Sequence, residues 1–239
     1  MSVLVLVRHG QASFLQSDYD RLSPLGERQS RMLGSYWAVQ ATRFDDVVTG
    51  PRVRQIGSAQ LAAEAYASCG LDLPAARVVD ELDEYDSGGV VGVLVPRLIQ
   101  ADQHVAVLAD QYNQSKGSAE EYRAFQRMFE AVMKAWVRGQ IASPEIGSWQ
   151  QFKGRVLQGL AGIIDRNDRG RRVAVFTSGG PISVAVQLAL GLSDEKALEI
   201  NWALRNGSIT EFLFTRDRFT LDAFNGLPHL PDRNLWSYR

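Results

Sequence analysis

One cysteine, Cys69, is the only thiol in 239 residues, so no internal disulfide can form and no thiolate metal site can be assembled. The expectation is a cytoplasmic protein in a reducing compartment. Charge of one sign is not in excess either: 26 Lys and Arg stand against 27 Asp and Glu, a net charge of −1 with a pI near 6.3. Such a chain has no global positive field to draw it to nucleic acid or anionic lipid, and no stretch interleaves basic residues with aromatics. Long hydrophobic runs are missing. Residues 2–7 are apolar, but they are too few for a signal-peptide core, follow no basic region and meet Arg8 and His9 at once. Also missing are His-Glu-x-x-His, an EF-hand loop, a Walker A loop and G-x-G-x-x-G. The expected protein therefore uses no metal and no cofactor, and binds neither nucleic acid nor membrane.

A mean hydropathy of −0.16 with 45% hydrophobic residues describes an ordinary globular chain, long enough to bury a substantial core as one domain spanning 1–239. Short β-branched runs alternate with longer amphipathic segments, the pattern of an α/β sheet covered by helices on both faces. Strands are expected at residues 3–7, 46–49 and 173–177, with a closing hairpin at 209–214 and 219–224. Helices are expected at 25–40, where Pro24 sits at the start, at 53–68, ending at Gly70, at 149–165, and at 182–190. The alternation breaks between Gly88 and Pro144. Two helical segments and no strand are read there, an inserted helical subdomain over residues 88–144. Its second helix is signalled by a capping-box pattern, Ser118-Ala119-Glu120-Glu121, and by Tyr122, Phe125, Phe129, Val132 and Trp136 at helical spacing, a stripe read as core.

Ligands of open α/β sheets gather beyond the carboxyl ends of the strands, where helix N-termini aim partial positive charge into the crevice. Three strand ends here carry suitable groups: Arg8-His9-Gly10-Gln11, then Gly50-Pro51-Arg52-Val53-Arg54, then Ser178-Gly179-Gly180-Pro181. Two supply guanidiniums and one an imidazole. The third is a glycine turn opening a helix whose free N–H groups can meet a phosphate. Together they describe a pocket for a dianion with a histidine in it. Of the other histidines, His104 reads as a surface residue and His229 as a loop or structural one, with an approach to the pocket left open.

The Val-Arg-His-Gly-Gln of residues 7–11 resembles the nucleophile motif of the histidine phosphatase superfamily, which includes the phosphoglycerate mutases. Tyr19-Asp20-Arg21-Leu22-Ser23-Pro24-Leu25-Gly26 is similar to the segment that follows it, and Gly50-Pro51-Arg52-Val53-Arg54 falls where the family has Ser-Pro-x-x-Arg. Leu82-Asp83-Glu84 resembles the Leu-x-Glu that supplies the acid. The motifs cover roughly residues 2–87 and 171–230 and do not reach the insertion. One departure stands out. Ser178-Gly179-Gly180 occupies the place of His-Gly-Gly, so the second pocket histidine is replaced by a serine that donates a hydrogen bond without charge.

The resemblance implies a three-layer α/β/α sandwich with a mostly parallel central sheet and a phosphatase acting on a small phosphorylated substrate. His9 would attack phosphorus and form a phosphohistidine. Arg8 and Arg54 would grip the phosphate oxygens, Ser178 and the Gly179 N–H would add donors, and Glu84 would protonate the leaving oxygen, with Glu81 as its rival in the same acidic run. Losing the second histidine's charge implies turnover slower by about one or two decades. Two other functions compete: a non-catalytic phospho-ligand binder, suggested by Ser178, and a phosphoglycerate mutase-type transferase. The latter is disfavoured because Gln11-Ala12-Ser13-Phe14 does not match the mutases' Glu-Ser-x-Trp-Asn. The insertion is expected to lie over the pocket and select the leaving group, and its apolar content leaves a lid, a homodimer interface and plain packing open.

Overall fold

The computed structural model describes residues 1–13, 20–165 and 170–238. Phe14 and Tyr19 of the quoted motifs therefore lie outside the described residues. The apolar run at the start forms β1 (Ser2–Arg8), the central strand of a six-stranded sheet. It is followed by α1 (Pro24–Val39), β2 (Asp46–Thr49), α2 (Val53–Ala67) and the two-residue β3 (Arg77–Val78). After the helical middle of the chain come α7 (Trp149–Ile164), β4 (Arg172–Thr177), α8 (Gly179–Leu190), α9 (Asp194–Ala203), β5 (Ile209–Thr215) and β6 (Arg218–Gly226). The sheet order is β3-β2-β4-β1-β5-β6. The first four strands are mutually parallel, and β5 and β6 close the sheet as an antiparallel edge.

Period-two alternation in β1 explains the layering. Leu4 and Leu6 point to one face, where they pack with Phe152, Val156, Leu160 and Ile163 of α7, Ile182 of α8 and Leu198 of α9. Val5 and Val7 point to the other, against Leu33 and Trp37 of α1 and Ala59, Ala62 and Tyr66 of α2. A strand buried on both faces reads as a continuous apolar run, which is why residues 3–7 look as they do. The result is the expected three-layer α/β/α arrangement with a mostly parallel sheet.

Between β3 and α7 lie α3 (Ser87–Gly89), a π-turn at Val90–Leu94, α4 (Val95–Ala101), α5 (Gln103–Ser115) and α6 (Glu121–Val137). The first expected segment is thus broken in two. Pro96, which cannot donate a backbone hydrogen bond, sits at the join of π-turn and α4. The expected capping box does not form: Ser118 Oγ donates to the Ser115 carbonyl, Glu121 accepts from Gly117 N–H, and the helix starts two residues later than a box would place it. Tyr122 is exposed rather than core, whereas Phe129, Val132 and Trp136 of the same stripe are buried against α7 and the sheet.

Strand β3 and helix α9 escaped the sequence analysis. β3 has only two residues, held by pairing with Val48 and Thr49 and by an Arg77–Asp46 ion pair at 3.0 Å, too little to give a period. Helix α9 carries a start signal, Ser193 accepting from Lys196 N–H ahead of two acids, but buries only Ala197 and Leu198 and so shows no apolar stripe. Helix α8 starts three residues earlier than expected. Gly179, Gly180 and Pro181 form its first turn, where proline's missing N–H leaves no bond unmade.

Helices α1 and α2 touch backbone to backbone at Gly34, where a Cβ would come within 2.0 Å of the Ala62 carbonyl oxygen. Glycine to alanine inside a helix ordinarily stabilises by about 0.5–1 kcal/mol. At Gly34 overpacking of about 1–3 kcal/mol outweighs that gain. Urea denaturation is expected to show Gly34→Ala destabilised by about 1–2 kcal/mol, while Gly162→Ala on the open face of α7, with nothing within 4 Å, gains stability.

Candidate active site

The parallel pairing of β1 with β4 continues one residue past the strand, His9 N–H donating to the Thr177 carbonyl at 2.9 Å, and so fixes where the imidazole leaves the sheet. The ring is 6% exposed. Its Nδ1 lies 2.7 Å from the Gly10 carbonyl oxygen, and its Nε2 lies 3.1 Å from Arg54 Nε. A carbonyl can only accept and a guanidinium can only donate, so these partners define the tautomer: Nδ1 carries the proton and Nε2 presents its lone pair. His9 is held neutral, its pKa well below the ordinary histidine value because burial penalises the imidazolium, with further repulsion from Arg54 and Arg8.

Arg54 stands in the first turn of α2, the helix that the Gly50-Pro51 break launches from β2. Its Nη1 donates to Asp20 Oδ1 at 2.6 Å, and Asp20 Oδ2 also accepts the Val53 N–H at 3.0 Å, so one carboxylate ties the guanidinium to the start of its own helix. Ser58, one turn further on, accepts from Gly10 N–H at 3.0 Å and donates to the Arg54 carbonyl at 2.8 Å, joining the loop after β1 to α2. Arg8 is anchored by donating from Nη1 to the Leu204 carbonyl.

Glu84 reaches the same place from the loop after β3. Its Oε2 accepts the Gly180 N–H at 3.0 Å, at the start of α8, and its Oε1 accepts the Tyr85 N–H at 3.1 Å. Any side chain at residue 180 would collide with it, a Cβ there falling 2.1 Å from Oε1. Burial raises the Glu84 pKa, and it wins over the Gly180 N–H, Arg54, the Tyr85 N–H and Arg8, all of which favour the carboxylate. The rival Glu81 faces elsewhere: its Cβ packs on Gly159 of α7. The acid-bearing loop is pinned by Arg155 of α7, which donates to the carbonyls of Asp80 and Asp83 at 3.0 Å, by Thr177 Oγ1 on the Leu82 carbonyl at 2.8 Å, and by the Arg52–Asp83 ion pair.

The expected groups Arg8, His9, Arg54 and Glu84 therefore share one site, close enough for both arginines to act on both titratable groups. Ser178 is fully buried and its Oγ accepts from Gln55 Nε2 at 2.7 Å. Its hydroxyl proton is thereby directed away from Gln55. Gly179 opens α8 beside it and packs against Asn201. Asp20, Gln55, Ser58 and Arg155 were missed in the sequence; Asp20 lies inside a quoted motif and Gln55 directly follows one, but nothing in a one-dimensional pattern distinguishes a residue that holds a site group from a solvated one.

His104 is exposed, as expected. His229 is 4% exposed, with neither ring nitrogen hydrogen-bonded among the described residues, and its Nε2 packs behind Gly207, whose N–H donates to the Arg8 and His9 carbonyls. It stands behind the end of β1 as a packing residue.

Fold and site together define a three-layer α/β protein with a buried, neutral histidine beside Arg54 and Arg8 at the carboxyl end of the sheet. The chain belongs to the histidine phosphatase superfamily (branch 1), whose sequence profile matches residues 4–140 and 132–226 and so runs through the helical insertion that the short motifs did not reach. Among solved structures it is similar to a phosphoserine phosphatase from Entamoeba histolytica bound to 3-phosphoglyceric acid, at 18% identity over 96% of this chain and 100% of that one, with a TM-score of 0.61. A phosphoglycerate mutase from Bacillus anthracis matches at 18% identity over 96% and 95%, TM-score 0.64. The alpha-ribazole phosphatase from Shigella flexneri matches at 21% over 94% and 96%, TM-score 0.61. No curated protein matches the chain by sequence. Among the described residues no helix is long and apolar enough to cross a membrane.

Buried His229 has a consequence for acid stability. Burial lowers its pKa from 6.5 to about 4. The unfolded chain takes up this proton near 6.5 and the folded chain only near 4, so the unfolded state binds more protons in between and stability falls as pH falls through that window. The loss amounts to about 3 kcal/mol at full extent, and His9 adds to it with the same sign. Denaturant titrations at pH 7 and pH 4.5 are expected to show a smaller acid loss for His229→Phe than for the unsubstituted protein. Equal losses would mean His229 does not stay neutral.

Proposed function

We propose that the protein is a phosphatase that hydrolyses small phosphate monoesters through a phosphohistidine on His9. The observation that carries this is the fixed tautomer: Nδ1–H on the Gly10 carbonyl and the Nε2 lone pair beside Arg54. An uncharged imidazole so held is a nucleophile without prior proton loss.

The steps follow from the chemistry of the groups. A phosphate monoester enters beside Arg8 and Arg54, whose planar forks match its equatorial oxygens and spread the charge of the transition state. His9 Nε2 bonds to phosphorus as the bond to the ester oxygen breaks, and Glu84 delivers its proton to that oxygen. Glu84, now a carboxylate, takes a proton from water as water attacks the phosphohistidine, which returns free phosphate and neutral His9. Ser178 adds a neutral hydrogen bond from its hydroxyl, and the N-terminus of α8 at Gly179 adds partial positive charge. With no charge at residue 178, turnover is slower than a second histidine would give.

Small phosphorylated molecules are the substrates of the similar phosphatases, which supports that class here. Hydrolysis is preferred to transfer because Gln11-Ala12-Ser13 departs from the mutase motif. Ser178 favours one other reading, a phospho-ligand binder without turnover, and the same assay separates the two.

His9→Ala is expected to abolish hydrolysis of 4-nitrophenyl phosphate and of an alkyl phosphate, and acid quenching of the unsubstituted enzyme should trap phosphate on His9 by mass spectrometry. Phosphate affinity without turnover in the unsubstituted protein would instead establish the binder. In kcat/KM, which reports the formation of the phosphohistidine, Glu84→Gln should cost about 10²–10⁴-fold on the alkyl ester and much less on the aryl ester, whose leaving group needs no proton. In the pH profile of kcat/KM, activity falls on the acid side as His9 protonates, well below its ordinary value, and on the alkaline side as Glu84 ionises, above its ordinary value. The alkaline limb should vanish in Glu84→Gln; its persistence would remove Glu84 from the acid role.

A further inference from the structure

The carbonyl of Gly10 and the N–H of Gln11 belong to one planar peptide unit, so whatever holds that N–H also aims the carbonyl at His9 Nδ1. The Gln11 N–H donates to Gln29 Oε1 at 2.9 Å. On its other side Gln29 Nε2 donates to the Leu235 carbonyl at 2.7 Å and to Ser237 Oγ at 3.1 Å. Ser237 Oγ in turn donates to Asn206 Oδ1 at 3.0 Å, and Asn206 Nδ2 reaches the His9 carbonyl at 3.4 Å. The Asn206 N–H returns to the Ser237 carbonyl at 2.8 Å.

Every direction in this loop of bonds is determined. Gln11 N–H can only donate and the Leu235 carbonyl can only accept, which orients the Gln29 amide. The His9 carbonyl can only accept, which orients Asn206 and leaves its Oδ1 to the Ser237 hydroxyl. Gln29 and Asn206 are fully buried, and Ser237 is 8% exposed, so solvent is a poor substitute for any partner. The segment carrying Ser237 is seated independently: Trp236 Nε1 donates to the Leu230 carbonyl at 2.9 Å, and the Trp236 ring lies beneath Arg205, 4.6 Å from its guanidinium carbon.

We infer that Ser237, acting through Gln29 and Asn206, is a positioning residue that keeps His9 in the tautomer with the proton on Nδ1. The two amides straddle Gly10, one holding the peptide before it and one the peptide after it. Without the Ser237 hydroxyl, Asn206 loses its only side-chain donor in the loop and Gln29 one of two acceptors. The Gly10 carbonyl then drifts from Nδ1, Arg54 alone is left to oppose a proton on Nε2, and the Nε2–H form, which blocks the lone pair, becomes populated. Part of this rests on His9 being the nucleophile, but the tautomer itself is observable without any turnover.

The test is ¹⁵N NMR of the histidine-labelled protein together with steady-state kinetics on 4-nitrophenyl phosphate. Ser237→Ala is expected to show His9 populating the Nε2–H form and kcat down about tenfold, the scale of one hydrogen bond, with KM changed less than twofold. Ser237→Thr keeps the hydroxyl and should restore the native spectrum and rate. Ser237→Cys, nearly isosteric but a weak hydrogen-bonding group, should move both readouts the same way and serves where the alanine variant is too unstable. A folded Ser237→Ala or Ser237→Cys protein with the native His9 spectrum overturns the inference, even if its melting temperature drops. Absence of turnover in the unsubstituted enzyme, with the tautomer still responding to Ser237, would overturn the phosphatase proposal and leave this one standing.

Discussion

The site depends on keeping one imidazole uncharged beside two guanidiniums. The cost of protonating His9 comes first from burial and then from Arg54 and Arg8, so the cations suited to drawing in a dianion also suppress the protonation that would consume the lone pair. Arg54 does both through a single side chain, with Nε on His9 and Nη1 on Asp20. Moving Arg54 would disturb charge and geometry together. That is why its own supports, Asp20 on one side and Ser58 on the other, are as closely placed as the arginine itself.

Glu84 is pushed the opposite way in the same field. Two arginines and two N–H donors favour its ionised form, yet burial prevails and raises its pKa. Two titratable groups that share the field of Arg54 and Arg8 are thus driven in opposite directions, the histidine towards its neutral base form and the glutamate towards its neutral acid form, which is the separation that acid and base roles need. An incoming phosphate would add negative charge beside Glu84 and raise its pKa further, while the same charge would favour the imidazolium of His9, which burial and the two arginines oppose. Burial of the acid requires the loop at residues 80–84 to stay closed on the site, and that is the work of Arg155, Thr177 and the Arg52–Asp83 pair.

Much of this could be read in the chain because it is written locally. Residues 3–7 declare a strand buried on both faces, the Gly-Pro break sets Arg54 one turn into a helix, and the Gly-Gly-Pro turn admits Glu84 to the head of α8. What stayed hidden joins residues far apart in sequence. Gln29 and Ser237 are separated by 208 positions, and Gln55 and Ser178 by 123. Each is an ordinary polar residue that becomes informative only when its buried partner is known. Ser118 failed in the converse way: a correct local signal lost to an alternative bond with Ser115.

Ser178 limits what the head of α8 can offer. A histidine would bring its own charge, whereas Ser178 brings a hydroxyl whose acceptor side is occupied by Gln55, so only its proton is left to offer. The helix N-terminus must then supply more of the positive potential, yet one of its N–H groups, that of Gly180, is committed to Glu84. If phosphate binds here, acid and substrate draw on the same few donors, and phosphate would compete with the ionised carboxylate for them. Protonated Glu84 makes weaker demands on the Gly180 N–H than the carboxylate does. A phosphate drawing on that donor would therefore favour protonated Glu84, so that under the proposed mechanism phosphate binding and the protonation of Glu84 would be coupled through the Gly180 N–H.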